Sequence, residues 1–341
     1  MDAAVIIANT PTDWAGFRWT QLVSPIPDEA AKRNVLIAHE MFHRIQSELG
    51  LTRPEAANHH LDSFDGRYLL QLEWRALARA LAAETDTDRR TAIEDALSFR
   101  HERYRLFPDA AAQEGALEIN EGIAEYTGVK LGLTSEAEQT AFAVHDLSAF
   151  LTVPTFVRSF AYATGPAYGL LLDRANPAWK SRIGEKRFDE LLVDAGYKAQ
   201  GDAVAARAAR YDDGSLRASE IKRDAERRAR LADLKGRLVD GPVLILPLAK
   251  SSYQFNPQTL IPLEGFGTVY PTMRLNDDWG SLEVEAGGAL VYGDGSRATV
   301  TAKGANSAGG TGSGWKLTLK PGWSLQPGER TGDLIARKAA P

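Results

Sequence analysis

Residues 28–49, which read DEAAKRNVLIAHEMFHRIQSEL, contain the pattern around which the rest of the chain is organised. Apolar residues recur here at helical spacing, at Val35, Ala38, Phe42, Ile45 and Leu49. Asp28 follows two prolines as a candidate N-cap, and Gly50 stands where a helix would end. The sequence therefore predicts one helix over residues 28–49.

The same helix carries His39, Glu40 and His43 in the order His-Glu-Met-Phe-His. Residues four apart lie on one face of a helix, so the two imidazoles can point at a single metal ion. Two histidines fill half of the tetrahedral shell that zinc prefers, and the carboxylate between them stays free to hold a water. This layout is typical of sites where a metal acidifies a water and a carboxylate accepts its proton. The alternative is a core helix with two buried, hydrogen-bonded histidines.

A third protein ligand has to come from elsewhere in the chain. Residues 109–131 are predicted to form a helix on which four glutamates share a face, namely Glu114, Glu118, Glu121 and Glu125. Buried carboxylates need a positive partner, and a metal ion would be one. A carboxylate completes many two-histidine zinc sites and leaves the fourth position to water. His59 and His60, in a polar connection after the first helix, are the alternative ligands.

Two segments, HEMFH at 39–43 and NEGIAE at 120–125, together resemble the paired motifs of the gluzincin metallopeptidases, the group that includes thermolysin and the aminopeptidase N family. The resemblance implies a zincin-like fold and a Zn²⁺ ion bound by His39, His43 and Glu121. It covers roughly the first half of the chain. The segment between the second histidine and the ligand glutamate is much longer than in the familiar gluzincins.

The resemblance also implies roles for neighbouring residues. Glu40 is expected to take a proton from the water and later to hand it to the leaving amine. Glu125 is expected to hold a histidine ligand by its second N–H, with Asn120 supporting the same site. Tyr162, in the segment Tyr-Ala-Thr-Gly-Pro-Ala, resembles the tyrosine that steadies the oxyanion in aminopeptidase N relatives, and Tyr168 is its alternative.

Composition excludes several other classes of protein. The formal charge of −5, with 25% charged residues, indicates neither a nucleic-acid-binding protein nor a disordered chain. The absence of cysteine excludes disulfides, thiolate metal ligands and cysteine nucleophiles. No apolar run is long enough to cross a bilayer, and the first residues resemble a strand more than a secretion signal. A soluble chain is expected, with its compartment open and an extracytoplasmic one allowed if the N-terminus was trimmed.

The regions outside the two motifs are predicted as follows. Strands are expected over 3–8 and 17–24, joined by turn formers at 9–13, and the second strand could offer its edge to an extended peptide. Further helices are predicted over 62–84 and 87–106. Two shorter helices are expected within 176–200, with Trp179, Phe188, Leu191 and Leu192 in the core, and His101 and His145 are expected to be structural.

The last part of the chain, from residue 201 on, contains two segments of different composition. Residues 201–240 are predicted to form a charged helical linker, broken at 212–214, in which pairs such as Asp224 with Arg228 indicate a solvated helix and not a nucleic-acid site. From residue 241 apolar residues alternate between frequent glycines, which predicts an antiparallel β domain with a loop at 305–314. Three tryptophans there could stack on a ligand, although core positions are commoner: Trp279, Trp315 and Trp323.

The sequence thus predicts an α+β protein with a mainly helical zincin-like catalytic domain over 1–200, a linker over 201–240 and a β domain over 241–341. The expected function is a zinc-dependent peptidase acting on a peptide or protein substrate. Internal bonds are slightly favoured over N-termini, because no amine-binding segment of the aminopeptidase N type is found. The alternatives are a zinc-containing scaffold whose β domain recognises a ligand, and a hydrolase of other amides or esters. The oligomeric state is left open.

Overall fold

The computed structural model describes residues 8–200, 204–256, 259–305 and 310–338. About half of the chain is helical and about a fifth is strand, so the predicted α+β class is confirmed. The chain forms two compact units, Met1–Lys222 and Arg223–Pro341. The division falls within the segment 201–240. Within the described ranges, no helix combines the length and the apolar character needed to cross a membrane.

The first unit opens with a two-stranded hairpin, β1 (Thr10–Trp14) and β2 (Phe17–Gln21). Its turn is Ala15-Gly16, where both residues have positive φ, as a two-residue hairpin turn of type I′ requires. The prediction of a turn over 9–13 is therefore wrong, because most of these turn-forming residues pair across the hairpin. Residues 3–7 of the predicted first strand lie outside the described residues.

The helices of the first unit surround one apolar core, and one long helix continues past Lys222 into the second unit, where its Leu234 joins another core. Their bounds are α1 Ala30–Gln46, α2 Phe64–Ala82, α3 Asp86–Leu106, α4 Ala110–Leu117, α5 Ile123–Gly132, α6 Glu136–Ala149, α7 Phe160–Ala175, α8 Phe188–Asp194, α9 Val204–Ala208 and α10 Ser215–Lys235. The side chains of Ser63, Thr85 and Ser135 cap α2, α3 and α6. The predicted cap Asp28 is wrong for α1, where Glu29 takes the N-cap position without a side-chain bond.

The predicted helix over 109–131 is interrupted by a π turn, Glu118–Gly122, between α4 and α5. Here the N–H of Ile123 bonds to the carbonyl of Glu118, five residues back, so the turn holds one residue more than an α-helical turn. The extra residue rotates α5 relative to α4. The prediction that four glutamates share one face is therefore wrong, since the helix turns its later glutamates in a new direction.

Two glycines let the helices around this π turn approach closely. A Cβ added at Gly165 would lie 2.1 Å from the carbonyl oxygen of Gly122, so α7 packs directly on the turn. A Cβ at Gly128 would lie 2.7 Å from the carbonyl oxygen of Val35, so α5 packs directly on α1. These contacts bring three segments that are distant in sequence to one place.

Within the described residues, the second unit contains twelve strands in two sheets. Sheet order is β13-β14-β3-β10-β9-β6-β5 in the larger and β11-β12-β8-β7-β4 in the smaller, and the pairing is antiparallel except for β14 with β3. The strands are β3 Val243–Pro247, β4 Ser252–Phe255, β5 Ile261–Leu263, β6 Gly267–Tyr270, β7 Met273–Asp277, β8 Gly280–Val284, β9 Ala289–Tyr292, β10 Arg297–Thr301, β11 Thr311–Gly312, β12 Trp315–Leu319, β13 Trp323–Pro327 and β14 Leu334–Lys338. A short strand thus lies inside the loop predicted over 305–314, of which 306–309 are outside the described residues.

The tryptophans of this unit belong to its core. Trp279 and Trp315 are buried, and their indole N–H groups donate to the carbonyl oxygens of Pro247 and Thr301. Trp323 is half-buried against the same core. Of the two alternatives, ligand stacking and a place in the core, the structure shows the core position for these side chains.

Candidate metal centre

Helix α1 and the π turn bring the three predicted metal ligands together. His39 and His43 lie one turn apart on α1, and Glu121 lies in the π turn that packs beside it. The Oε2 atom of Glu121 is 3.6 Å from Nε2 of His39 and 3.4 Å from Nε2 of His43. The three ligand atoms all lie within 4.8 Å of one another, so this group could hold a metal ion.

Hydrogen bonds at the far side of each imidazole determine which nitrogen faces the centre. Nδ1 of His39 lies 2.6 Å from Oε2 of Glu125, and Nδ1 of His43 lies 2.7 Å from Oε1 of Gln46. A carboxylate and an amide oxygen both accept, so each Nδ1 carries the hydrogen. In the neutral rings, each Nε2 then presents a lone pair to the centre.

Three possible metal-ligand atoms thus face one another. The two Nε2 atoms lie 2.9 Å apart and both face the carboxylate of Glu121. Three acceptors converge without a hydrogen between them, an arrangement that is unfavourable unless a positive charge lies among them. Burial lowers the pKa of His39, but its hydrogen bonds to Glu121 and Glu125 outweigh burial and raise that pKa to about 9. Either a proton or a metal ion supplies the charge.

Glu40 lies beside the ligands with an unused oxygen. Its side chain is only 6% exposed, and its Oε2 atom has no hydrogen-bond partner within the described part of the chain. Burial raises the pKa of the Glu40 carboxyl, while the charges of His39 and His43 oppose the shift. A buried carboxylate with one free oxygen is suited to hold a water next to a metal.

Tyr162 joins the centre from α7. Its hydroxyl donates to Oε2 of Glu121 at 2.8 Å, and its ring stacks on His39 with centroids 5.6 Å apart. Burial and the nearby Glu121 carboxylate raise the pKa of Tyr162, which keeps the hydroxyl a donor. Tyr168, the alternative, is fully buried and donates to Glu73 instead.

Gln46 is a site residue that the sequence reasoning did not assign. It is 4% exposed, and its amide nitrogen donates to the carbonyl oxygens of Ile119 and Asn120, both at 2.9 Å. Its oxygen accepts from His43, so one side chain holds both a ligand and the turn that carries Glu121. The available signal was its position three residues after His43, on the same helix face.

Asn120 supports the site in a different way from Glu125. Its side-chain amide pairs with the backbone of Arg53 in both directions, at 2.8 and 2.9 Å. Within the described ranges, none of the hydrogen bonds of Asn120 reaches a histidine. Asn120 therefore fixes the segment after α1 to the π turn, while Glu125 contacts His39 directly.

The remaining histidines lie elsewhere. His60 bonds to the buried Glu114, and His101 bonds to Asp189, while His59 and His145 are exposed. Among the described residues, His39, His43 and Glu121 form the one group of three or more His, Asp or Glu side chains whose ligand atoms lie close enough together to hold a metal ion. The structure thus leaves His59 and His60 outside the centre.

The chemistry of this centre has to be inferred from its own geometry. In comparisons with known proteins, no family model, curated protein or solved structure matches this chain.

Proposed function

We propose that this protein is a zinc-dependent peptidase in which His39, His43 and Glu121 bind the metal and Glu40 is the general base. The observation that carries the proposal is the convergence of three possible ligand atoms on the helix that also carries Glu40, a buried residue whose Oε2 has no hydrogen-bond partner among the described residues. Two histidines and one carboxylate are typical of catalytic zinc, which keeps one position open to water, whereas structural zinc is closed by four protein ligands. The motif resemblance to gluzincins supports the same assignment.

Different residues of this chain are assigned to different steps of the proposed reaction. When bound, Zn²⁺ would lower the pKa of a coordinated water and polarise the substrate carbonyl. Glu40 accepts the proton of the attacking water, and because burial raises its pKa it can hold that proton and pass it to the leaving amine. The substrate class is peptides, with internal bonds favoured.

Tyr162 and the residues behind the imidazoles complete the mechanism. The hydroxyl of Tyr162, which donates to Glu121 in the structure, can donate to the oxyanion that develops on the carbonyl oxygen. A donor of this kind contributes about 2.7 to 4 kcal/mol to the transition state. Glu125 and Gln46 keep both Nε2 lone pairs directed at the metal position.

The substitution Glu40→Gln tests the proposal. The variant should keep about one zinc per chain, because Glu40 is not a ligand, and should lose cleavage of a peptide library by a factor of about 10² to 10⁴. Zinc is measured by elemental mass spectrometry, and cleavage by peptide mass spectrometry. The matched control is Glu48→Gln, an exposed glutamate after α1, which should behave as wild type.

Two results would contradict the peptidase proposal. One is a zinc-loaded wild-type protein that cleaves no peptide. The other is a Glu40→Gln variant that cleaves peptides as fast as wild type does.

A further inference from the structure

The ring of Tyr162 has to be held by contacts other than the hydrogen bond of its hydroxyl. In the structure the hydroxyl donates to Oε2 of Glu121 at 2.8 Å. A phenolic hydroxyl carries one hydrogen, so it cannot donate to Glu121 and to an oxyanion at the same time. In the proposed reaction, the direction of the hydroxyl therefore depends on what the ring contacts.

Two aromatic rings lie nearly parallel to the ring of Tyr162. The imidazole of His39 is one, with centroids 5.6 Å apart and an angle of 10° between the planes. The ring of Phe150 is the other, with centroids 6.5 Å apart and an angle of 6°. Offset parallel rings at such distances attract each other beyond the effect of burial alone. Both contacts resist a tilt of the Tyr162 ring and leave its hydroxyl free to change partner.

The backbone of α7 does not fix this ring by itself. Tyr162 lies in the first turn of α7, which begins at Phe160, and its N–H bonds to the carbonyl oxygen of Ser159 at 3.2 Å. Gly165, three residues later, lets α7 pack directly on the π turn. These contacts determine where the Cα atom of Tyr162 lies. The ring still turns about two side-chain bonds, so its plane needs a contact of its own.

The ring of Phe150 is presented by an ordered turn. Residues Phe150–Thr152 form one 3₁₀ turn directly after α6. The N–H of Phe150 bonds to the carbonyl oxygens of Asp146 and Ser148. Its own carbonyl oxygen accepts from the N–H of Val153 at 3.3 Å. Phe150 is half-buried and packs against the core of the first unit, so its ring is a fixed support for a neighbouring side chain.

Phe150 differs from the other partners of Tyr162 because it has no part in metal binding. His39 and Glu121 are proposed ligands, so a change in either of them alters the metal centre itself. Phe150 carries no group that binds a metal ion. Its contact with Tyr162 can therefore be removed while the ligand set stays intact.

We infer that Phe150 is a positioning residue that holds the ring of Tyr162 beside the metal position, so that the hydroxyl is directed at the developing oxyanion. It acts through Tyr162 and is not itself a catalytic residue. The effect on the reaction rests on the proposed peptidase function, whereas the ring contact does not.

The kinetics of peptide cleavage test this inference. Phe150→Leu keeps an apolar side chain without a flat face, so kcat should fall about three- to tenfold, while KM and zinc affinity stay unchanged. Phe150→Tyr keeps a ring and should retain the wild-type kcat. The decisive comparison uses Tyr162→Phe, which should itself lower kcat about 10²- to 10³-fold. In that background Phe150→Leu should lower kcat no further, because no hydroxyl is left to direct.

The matched control is Phe64→Leu. Phe64 is half-buried, begins α2 and stacks on Tyr68 with centroids 5.8 Å apart and an angle of 6°, which nearly repeats the geometry of the Phe150 pair. The hydroxyl of Tyr68 donates to Asp212, which is not part of the metal centre. Phe64→Leu should therefore leave kcat and KM unchanged.

A second measurement does not require activity. The full-length protein, loaded with zinc, is labelled with fluorotyrosine, and its fluorine NMR spectrum is recorded. The signal of Tyr162 is the one among the ten tyrosines that Tyr162→Phe removes. Phe150→Leu should shift this signal, because the ring current of Phe150 is lost, and Phe64→Leu should leave it in place.

The outcomes separate this inference from the peptidase proposal. The positioning role is overturned by an unchanged kcat in Phe150→Leu, by an equal fall in kcat with and without the Tyr162 hydroxyl, by a loss of zinc, or by an unshifted Tyr162 signal. Cleavage by wild type supports the peptidase whatever Phe150 does. If wild type cuts no peptide while Phe150→Leu alone shifts the Tyr162 signal, the peptidase fails and the ring contact stands.

Discussion

Two pairs of glutamates that are close in sequence have different partners in the structure. Glu114 in α4 and Glu118, the first residue of the π turn, are buried against arginines: Arg103 pairs with Glu114, and Arg100 forms two hydrogen bonds with Glu118. The second pair, Glu121 and Glu125, meets the histidines of α1 instead. Burial opposes the charge of Glu114, yet Arg103 outweighs it and lowers the pKa of that carboxyl to about 2.

The two pairs of glutamates differ in the group that supplies the positive charge. The first pair is neutralised permanently by the protein, so its carboxylates are structural. The second pair faces imidazoles that carry no charge of their own. A proton or a metal ion must therefore supply the positive charge, so the space between Glu121 and the two histidines is open to an external ion. Identical residues in one stretch of sequence thus form an ion-pair cluster at one place and part of a candidate metal centre at the next.

Removing the cation from the first pair should give the largest effect. Arg100→Met leaves the buried Glu118 without its cation, while Glu73 keeps Arg103 and Tyr168, so the free energy of unfolding should fall by about 3 to 5 kcal/mol in urea denaturation with chelator present. The control is Arg105→Gln, at an exposed arginine that pairs with Glu102. It should change the free energy of unfolding by less than about 1 kcal/mol. A loss of under 1 kcal/mol in Arg100→Met would show that the buried pair is not essential to the fold.

Removing a carboxylate from the second pair should act only when metal is present. Zinc at 100 times its Kd should stabilise wild type by about 2.7 kcal/mol, and Glu121→Gln should lose most of this increment while its metal-free stability changes little. The matched substitution Glu114→Gln should lower the metal-free stability and leave the stabilisation by zinc unchanged. Thermal unfolding with and without zinc measures both, and an undiminished zinc increment in Glu121→Gln would remove it from the ligand set.

The smallest effect is expected from the side chain that links the two motifs. Gln46→Leu removes the acceptor for His43 and the donors to the π turn, so zinc affinity should fall about 10- to 100-fold in competition with a chromogenic chelator. Gln46→Glu keeps an acceptor and should recover part of the affinity. Wild-type affinity in Gln46→Leu would mean that packing alone orients the imidazole.

Prediction from the sequence worked where a local pattern determines the result. Helical spacing located α1 and put two histidines on one face, alternation located the β unit, and the α+β class is confirmed. The turn over 9–13 and the cap at Asp28 were wrong, because propensity for a turn or a cap yields to strand pairing and to the packing of the helix. The zinc peptidase remains a proposal.

The sequence by itself determined which residues are able to bind a metal, since residue type and a spacing of four within one helix decide that. The motif resemblance already singled out Glu121 among the four glutamates, and the tertiary structure brings this side chain to the two histidines. The π turn adds a residue that no 3.6-residue periodicity reveals, and the partners Arg100 and Gln46 reach the segment from other helices. Long-range packing, which local spacing does not encode, therefore separates the buried ion pairs from the candidate metal centre.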